Sequence, residues 1–171
     1  MKQEIKKKGV SILSLDVDKL IDMLNAALAE EWLAYYQYWI GAQVVEGPMR
    51  VQVEAELLEH AQEELDHADR VAKRIIELNG TPILNPVEWT KLARCKYEAP
   101  EDPYVENILA QNIRGERCAI QRYQEIADFT YKTDWVTHNI AVSILAEEVE
   151  HEKDLDDFVT DINLSKIKGV Q

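Results

Sequence analysis

The chain has 171 residues, 46% hydrophobic and 30% charged, which suits one domain with its own core, and its two cysteines are too few for a disulfide framework. A formal net charge of −13 disfavours a large nucleic-acid footprint and favours solubility and the attraction of cations. No apolar run nears the roughly 18 residues of a membrane helix, and basic Met1–Lys8 lacks the apolar stretch of a secretory signal, so a cytoplasmic location is expected.

Glycine and proline sit in a few places and leave four long uninterrupted stretches. The first runs over about residues 16–46. Asp16 or Ser14 can cap it, Gly47-Pro48 ends it, and Leu20, Leu24, Ala27, Ala34 and Tyr38 recur on one helical face. The second, about residues 49–79, carries Val53, Leu57, Ala61, Ala68, Val71, Ile75 and Leu78 on its stripe, with Gly80 as a left-handed stop. Residues 80–102 hold Pro82, Pro86 and Pro100 and read as a connection, with a short helix after Asn85-Pro86. Asp102-Pro103 opens the third helix, which continues to about residue 130 through Ile108, Ile113, Ile120, Tyr123 and Ala127. The fourth starts at Thr133 or Asp134 and runs to about residue 162, leaving polar residues 163–171 as a tail.

No strands are expected. The joints after the first and third helices are short, so each pair should be antiparallel. The connection over 80–102 reaches ~75 Å at ~3.3 Å per residue, enough to traverse a bundle lengthwise. The predicted fold is all-α, a single domain over 1–171 built as a four-helix bundle with one long crossover between the second and third helices.

Charge interrupts the apolar stripes at matching depths. Glu31 lies between Ala27 and Ala34, and His60, Glu64 and His67 between Leu57 and Val71. Glu116 lies between Ile113 and Ile120, and Glu148 and His151 between Ile144 and Leu155. An ionised carboxylate in a core costs several kcal/mol or more unless it is paired or bound to metal. Four of them converging also repel one another, and divalent cations answer both problems. The spacing points the same way. Glu64-Leu65-Asp66-His67 and Glu148-Val149-Glu150-His151 are both Glu-x-x-His, which places a carboxylate and an imidazole one turn apart on one face.

The predicted ligand set is Glu64 and Glu148 bridging, Glu31 and Glu116 terminal, with His67 and His151. The doublets Glu30/Glu31, Glu63/Glu64 and Glu147/Glu148 each offer a neighbour, and helical phase selects the second member. An internal echo supports the arrangement: an offset of 85 carries Glu31, Ala34 and Tyr38 onto Glu116, Ala119 and Tyr123, and 84 carries Glu64 and His67 onto Glu148 and His151. His60 lies four residues before Glu64 on the same face, and Glu63 is adjacent; both can guide or transiently bind metal, and His60 can equally support the ligands. Tyr35, Tyr38 and Tyr123 can pack in the core or hydrogen-bond to ligands. Trp32 and Trp39 read as packing or subunit contacts, and His138 as a surface residue.

At these residues the chain resembles the ferritin-like superfamily, with a bacterioferritin-type di-iron pattern in Glu31-Trp-Leu-Ala-Tyr-Tyr-Gln-Tyr38, Glu64-Leu-Asp-His67-Ala-Asp-Arg70, Glu116 and Glu148-x-x-His151. Leu65 stands where bacterioferritins carry a haem-ligating methionine, so no haem is expected. Little sequence follows the fourth helix, so the short fifth helix of 24-subunit cages is not expected. Cys95, in Ala93-Arg94-Cys95-Lys96-Tyr97, and Cys118, in Glu116-Arg117-Cys118, resemble the thiol pair of Dps-like thioferritins. That resemblance implies a 12-subunit shell with two iron ions per subunit, manganese being the alternative metal. It also implies a ferroxidase that oxidises Fe(II) with hydrogen peroxide or dioxygen and stores ferric mineral against oxidative stress. Two other readings stand beside it: a non-storage di-iron or di-manganese peroxidase or oxidase, and a non-enzymatic DNA-associated scaffold using Lys2, Lys6, Lys7 and Lys8.

Overall fold

The computed structural model describes residue 10 and residues 13–168. Its elements are α1 (Val17–Val44), α2 (Arg50–Glu77), a 3-10 turn (Pro86–Glu88), the short α3 (Trp89–Leu92), α4 (Val105–Thr130) and α5 (Trp135–Lys168). Among the described residues the extended pairing is one isolated parallel bridge, between Glu46 and Tyr104. The four long helices are those the apolar periodicity predicts. The lysine cluster at residues 2, 6, 7 and 8 lies outside the described residues.

Local chemistry sets the ends. Asp16 caps α1 by accepting the Lys19 N–H at 3.0 Å, and the Asp134 carboxylate accepts the N–H groups of Val136 and Thr137 at the start of α5. Three expectations are corrected. Asp102 does not cap the third long helix directly: it accepts from the Tyr104 N–H and the Asn107 amide, and Tyr104 is the cap residue. The left-handed residue after α2 is Asn79 (φ 66°) rather than Gly80. Gly80 serves packing instead, because a Cβ there would meet Ile21 and Ile75 at 2.9 Å. Finally, the predicted tail is helical as far as Lys168, since Ile162 is fully buried and anchors another turn and a half beyond the predicted end.

The crossover runs the length of α1. Near its start Asn25 accepts the Ile83 N–H at 2.9 Å and donates to the Thr81 carbonyl. Midway Glu30 accepts the N–H groups of Arg94 and Cys95, and further on Gln37 accepts that of Glu98 at 2.7 Å. At the far end of α1 the Glu46 carbonyl accepts from Val105, the first residue of α4. The connection thus carries the chain from one end of the bundle to the other, so α2 and α4 run in the same direction. Trp32 of α1 stacks on Trp89 of α3, with ring centroids 5.4 Å apart, and fixes the crossover's first half.

The core divides in two. One apolar cluster gathers Leu20, Leu24, Val71, Ile75, Ile126 and Ile144, and the other Val53, Leu57, Ile108, Leu109, Leu155 and Ile162. Between them, at mid-height, the four long helices turn charged side chains inward.

Candidate metal centre

Glu31, Glu64, Glu116 and Glu148 are each no more than 2% exposed, and His67 and His151 are equally buried. Their donor atoms form two overlapping sets. Glu31, Glu64, His67 and Glu148 offer atoms within 4.8 Å of one another, and so do Glu64, Glu116, Glu148 and His151. Glu64 and Glu148 belong to both sets. The structure therefore brings together all six side chains that the sequence singled out.

Both imidazoles aim Nδ1 at the centre. His67 Nδ1 lies 3.2 Å from Glu64 and Glu148 and 3.5 Å from Glu31, while His151 Nδ1 lies 3.7–3.8 Å from Glu64, Glu116 and Glu148. Each Nε2 meets a carboxylate from the facing helix: His67 meets Glu147 at 2.7 Å and His151 meets Glu63 at 2.6 Å. Glu147 is held in turn by Arg70 at 2.7 Å. An Nε2–H bound to a carboxylate fixes the ring and leaves Nδ1 free to ligate. The two tyrosines act reciprocally. Tyr38 of α1 donates its hydroxyl to Glu116 of α4, and Tyr123 of α4 donates to Glu31 of α1. The offset of 85 seen in the sequence is thus a two-fold relation in space.

The electrostatics of the cluster describe a charge deficit. Burial, then repulsion from Glu64, pushes Glu31 far above the usual carboxylate range, and burial and Glu148 do the same to Glu116. Burial would raise Glu64 too, but the imidazoles of His151 and His67 beside it outweigh burial and hold that carboxyl low. Burial opposes charge on both imidazoles, yet the carboxylates around them, Glu148 foremost for His67 and Glu116 for His151, raise both well above the imidazole range. Burial and the neighbouring Glu116 or Glu31 keep the Tyr38 and Tyr123 hydroxyls protonated.

Among the described residues Glu116 Oε2, both Glu148 oxygens and His151 Nδ1 are buried without a hydrogen-bond partner. Native interiors rarely leave such groups unpaired. Four carboxylates and two imidazoles in overlapping sets fit a pair of divalent, oxygen- and nitrogen-preferring metal ions.

Two openings reach this layer from opposite sides. One, of about 440 Å³, lies between α1, α4 and the crossover, where Ala34, Gly115, Ala119 and Cys95 border the carboxylates. The other, of about 390 Å³ and strongly acidic, lies between α2 and α5. Cys95, which borders the first opening, forms a disulfide with Cys118, with Cα atoms 5.6 Å apart.

Family membership follows from comparison with known proteins. A ferritin-like domain model matches residues 21–165. The chain belongs to the ferritin-like family. A DNA protection during starvation protein of Pyrococcus furiosus is 35% identical over 92% of this chain and 85% of its own length. A bacterioferritin of Rhodobacter capsulatus is 30% identical over 90% of this chain and 88% of its own. The solved dodecameric thioferritin described as the bacterioferritin-related protein of Bacteroides fragilis superposes with a TM-score of 0.95 at 57% identity, covering 96% of this chain and 99% of that one. Dps of Thermosynechococcus elongatus, at 18% identity, shares the fold, with a TM-score of 0.79 over 83% of this chain and 90% of its own.

Some residues around the centre had no clear signal in the sequence. Glu30 is 5% exposed and takes a two-pronged bridge from Arg122, with both contacts at 2.8 Å, while also holding the backbone at Cys95. Glu147 reads in sequence as the discarded member of a doublet, but it is the partner of His67. The hint was available: the offset of 84 that relates the two histidines also relates Glu63 to Glu147. Tyr35 packs edge-on against Trp32 at 6.3 Å. His138 is less exposed than expected, donating its Nδ1–H to the Ala127 carbonyl at 2.9 Å.

Proposed function

We propose that this ferritin-like chain is a ferroxidase and iron store of the Dps-like thioferritin type, acting at a di-iron site inside each subunit. The observation that carries the reading is the sharing of Glu64 and Glu148 between the two donor sets, because two ions there would be bridged by the same pair of carboxylates. Glu31 with His67, and Glu116 with His151, would complete one position each. Hard carboxylate oxygens with imidazole suit iron and accept manganese.

Iron is the substrate in this reading. Two Fe(II) ions give one electron each to hydrogen peroxide, its O–O bond breaks, two protons are taken up and two waters form. The protein's part is positional: Tyr38 and Tyr123 hold the terminal carboxylates, Glu63 and Glu147 hold the imidazoles, and the apolar layers on either side exclude bulk water. Because both electrons leave together, peroxide is consumed without releasing radicals. The dodecameric state given for the Bacteroides fragilis relative supports a 12-subunit shell, in which ferric product is stored. A net charge of −13 supports Fe(II) attraction.

Anaerobic loading with Fe(II), followed by peroxide, tests the proposal. It predicts one peroxide consumed per two Fe(II) and soluble, shell-sized particles retaining far more iron than the centre holds. Retention that stops at about two ions per chain, the capacity of such a two-ion site, would identify a non-storage enzyme instead.

A further inference from the structure

The acidic opening between α2 and α5 contains a second group of donors that the centre does not use. Glu56, His60 and Asp154 each offer one ligand atom, all within 4.8 Å of one another. His60 is 2% exposed and lines the opening. Its Nδ1 has no hydrogen-bond partner among the described residues, and its Nε2 faces Glu56 at 3.4 Å, longer than a good imidazole–carboxylate bond. A polar ring removed from water without a proper partner is costly, and a bound cation offsets that cost. Six carboxylates and two imidazoles line the opening, with no lysine or arginine among them.

The internal symmetry supplies a control within the molecule. The offset of 84 that carries Glu63, Glu64 and His67 onto Glu147, Glu148 and His151 carries Glu56 and His60 onto Ile140 and Ile144, and relates Asp154 to Arg70. Arg70 reaches Glu147 at 2.7 Å and Asp66 at 3.6 Å. The symmetry-related positions therefore hold two isoleucines and a paired arginine, and only the His151 side presents donors.

We propose that Glu56, His60 and Asp154 form a third cation site, taking a divalent first-row metal ion on two carboxylates and one imidazole at the mouth of this opening. Successive donor groups share a residue. His60 also joins Glu63 and His151 in a set within 4.8 Å, and His151 belongs to the centre. A cation can thus move inward by exchanging one or two ligands at a time. That staging role rests on reading the centre as a di-metal site, whereas the third site itself does not.

Cobalt(II), added anaerobically to the assembled full-length protein, separates these claims. The probe is read by metal count after dialysis, by d–d absorption and by anomalous diffraction at the cobalt edge. The proposal predicts about three ions per chain, one of them among Glu56, His60 and Asp154. The Glu56→Gln/Asp154→Asn double variant, altered at two partly exposed side chains, should lose that peak, drop to about two ions and keep both central peaks. Wild-type protein with cobalt only in the centre overturns the third site and leaves the proposed function intact, and so does a double variant that retains the mouth peak. Cobalt at the mouth with none in the centre supports the third site and sinks the di-metal reading. No bound cobalt at all overturns both.

Discussion

Glu147 of α5 holds the Nε2 of His67 of α2 at 2.7 Å, and the same contact is made in reverse between His151 and Glu63. Each carboxylate polarises the ring whose other nitrogen faces the centre. Replacing either by alanine should weaken one metal position by about 10–100-fold and spare the other. Stepwise anaerobic cobalt titration of Glu63→Ala and Glu147→Ala checks this. Equal loss of both positions in either variant would count against such a division.

Removing a bridging carboxylate should be more severe. Glu64→Ala and Glu148→Ala are each expected to abolish binding of both ions and to lower peroxide-dependent Fe(II) oxidation at least ~100-fold, since each side chain serves both donor sets. The metal-free Glu64→Ala protein should also unfold more easily than metal-free wild type, because His67 and His151 lose a buried carboxylate that supports their charge. Thermal midpoints with and without metal measure both effects. Wild type alone should gain on loading, by about 2.7 kcal/mol at a hundredfold excess over Kd.

The crossover should survive loss of its covalent link. Reduction of Cys95–Cys118 opens a loop spanning 23 residues and should cost about 3 kcal/mol on the chain-entropy model. The segment stays docked, however, because Glu30 holds the Arg94 and Cys95 N–H groups and is itself fixed by Arg122. Hydrogen exchange at residues 93–98 should therefore rise modestly on reduction and sharply when Glu30→Ala is added.

Acid should weaken the base of α5. Arg74 donates to Asp134 at 2.8 Å and to Thr137 at 2.7 Å, with Asp134 2% exposed. Burial alone would raise the Asp134 carboxyl, but bonds from Thr137 and Arg74 outweigh it and hold it below the usual range. A lowered folded-state value means stability that is fully present above the unfolded value, near 4, and lost as pH falls through the folded one. Asp134→Asn should cost about 2–4 kcal/mol at neutral pH, and the gap from wild type should close only below ~pH 4. Denaturant midpoints of the two metal-free proteins across this range decide it.

The fold was legible because four apolar stripes of helical period are separated by prolines and glycines, and because the span over 80–102 is long enough to return along the bundle. The ligand candidates were legible because charge on an apolar stripe is conspicuous. The ends of helices were less so: Asp102 carries the right side chain for a cap but is spent on a turn two residues earlier, and a tail of polar residues gives no sign that Ile162 pins it. Glu30 and Glu147 were obscured by sitting beside a second glutamate. Their roles depend on Arg122 and Arg70, whose approach is decided by packing and leaves no local pattern.

Iron-edge anomalous diffraction from a crystal soaked anaerobically in Fe(II) bears most directly on the whole account. It predicts two neighbouring peaks within each subunit, both touching Glu64 and Glu148, one beside Glu31 and His67 and the other beside Glu116 and His151. A subunit whose interior stays free of iron while the metal collects only between chains or on the surface would contradict it.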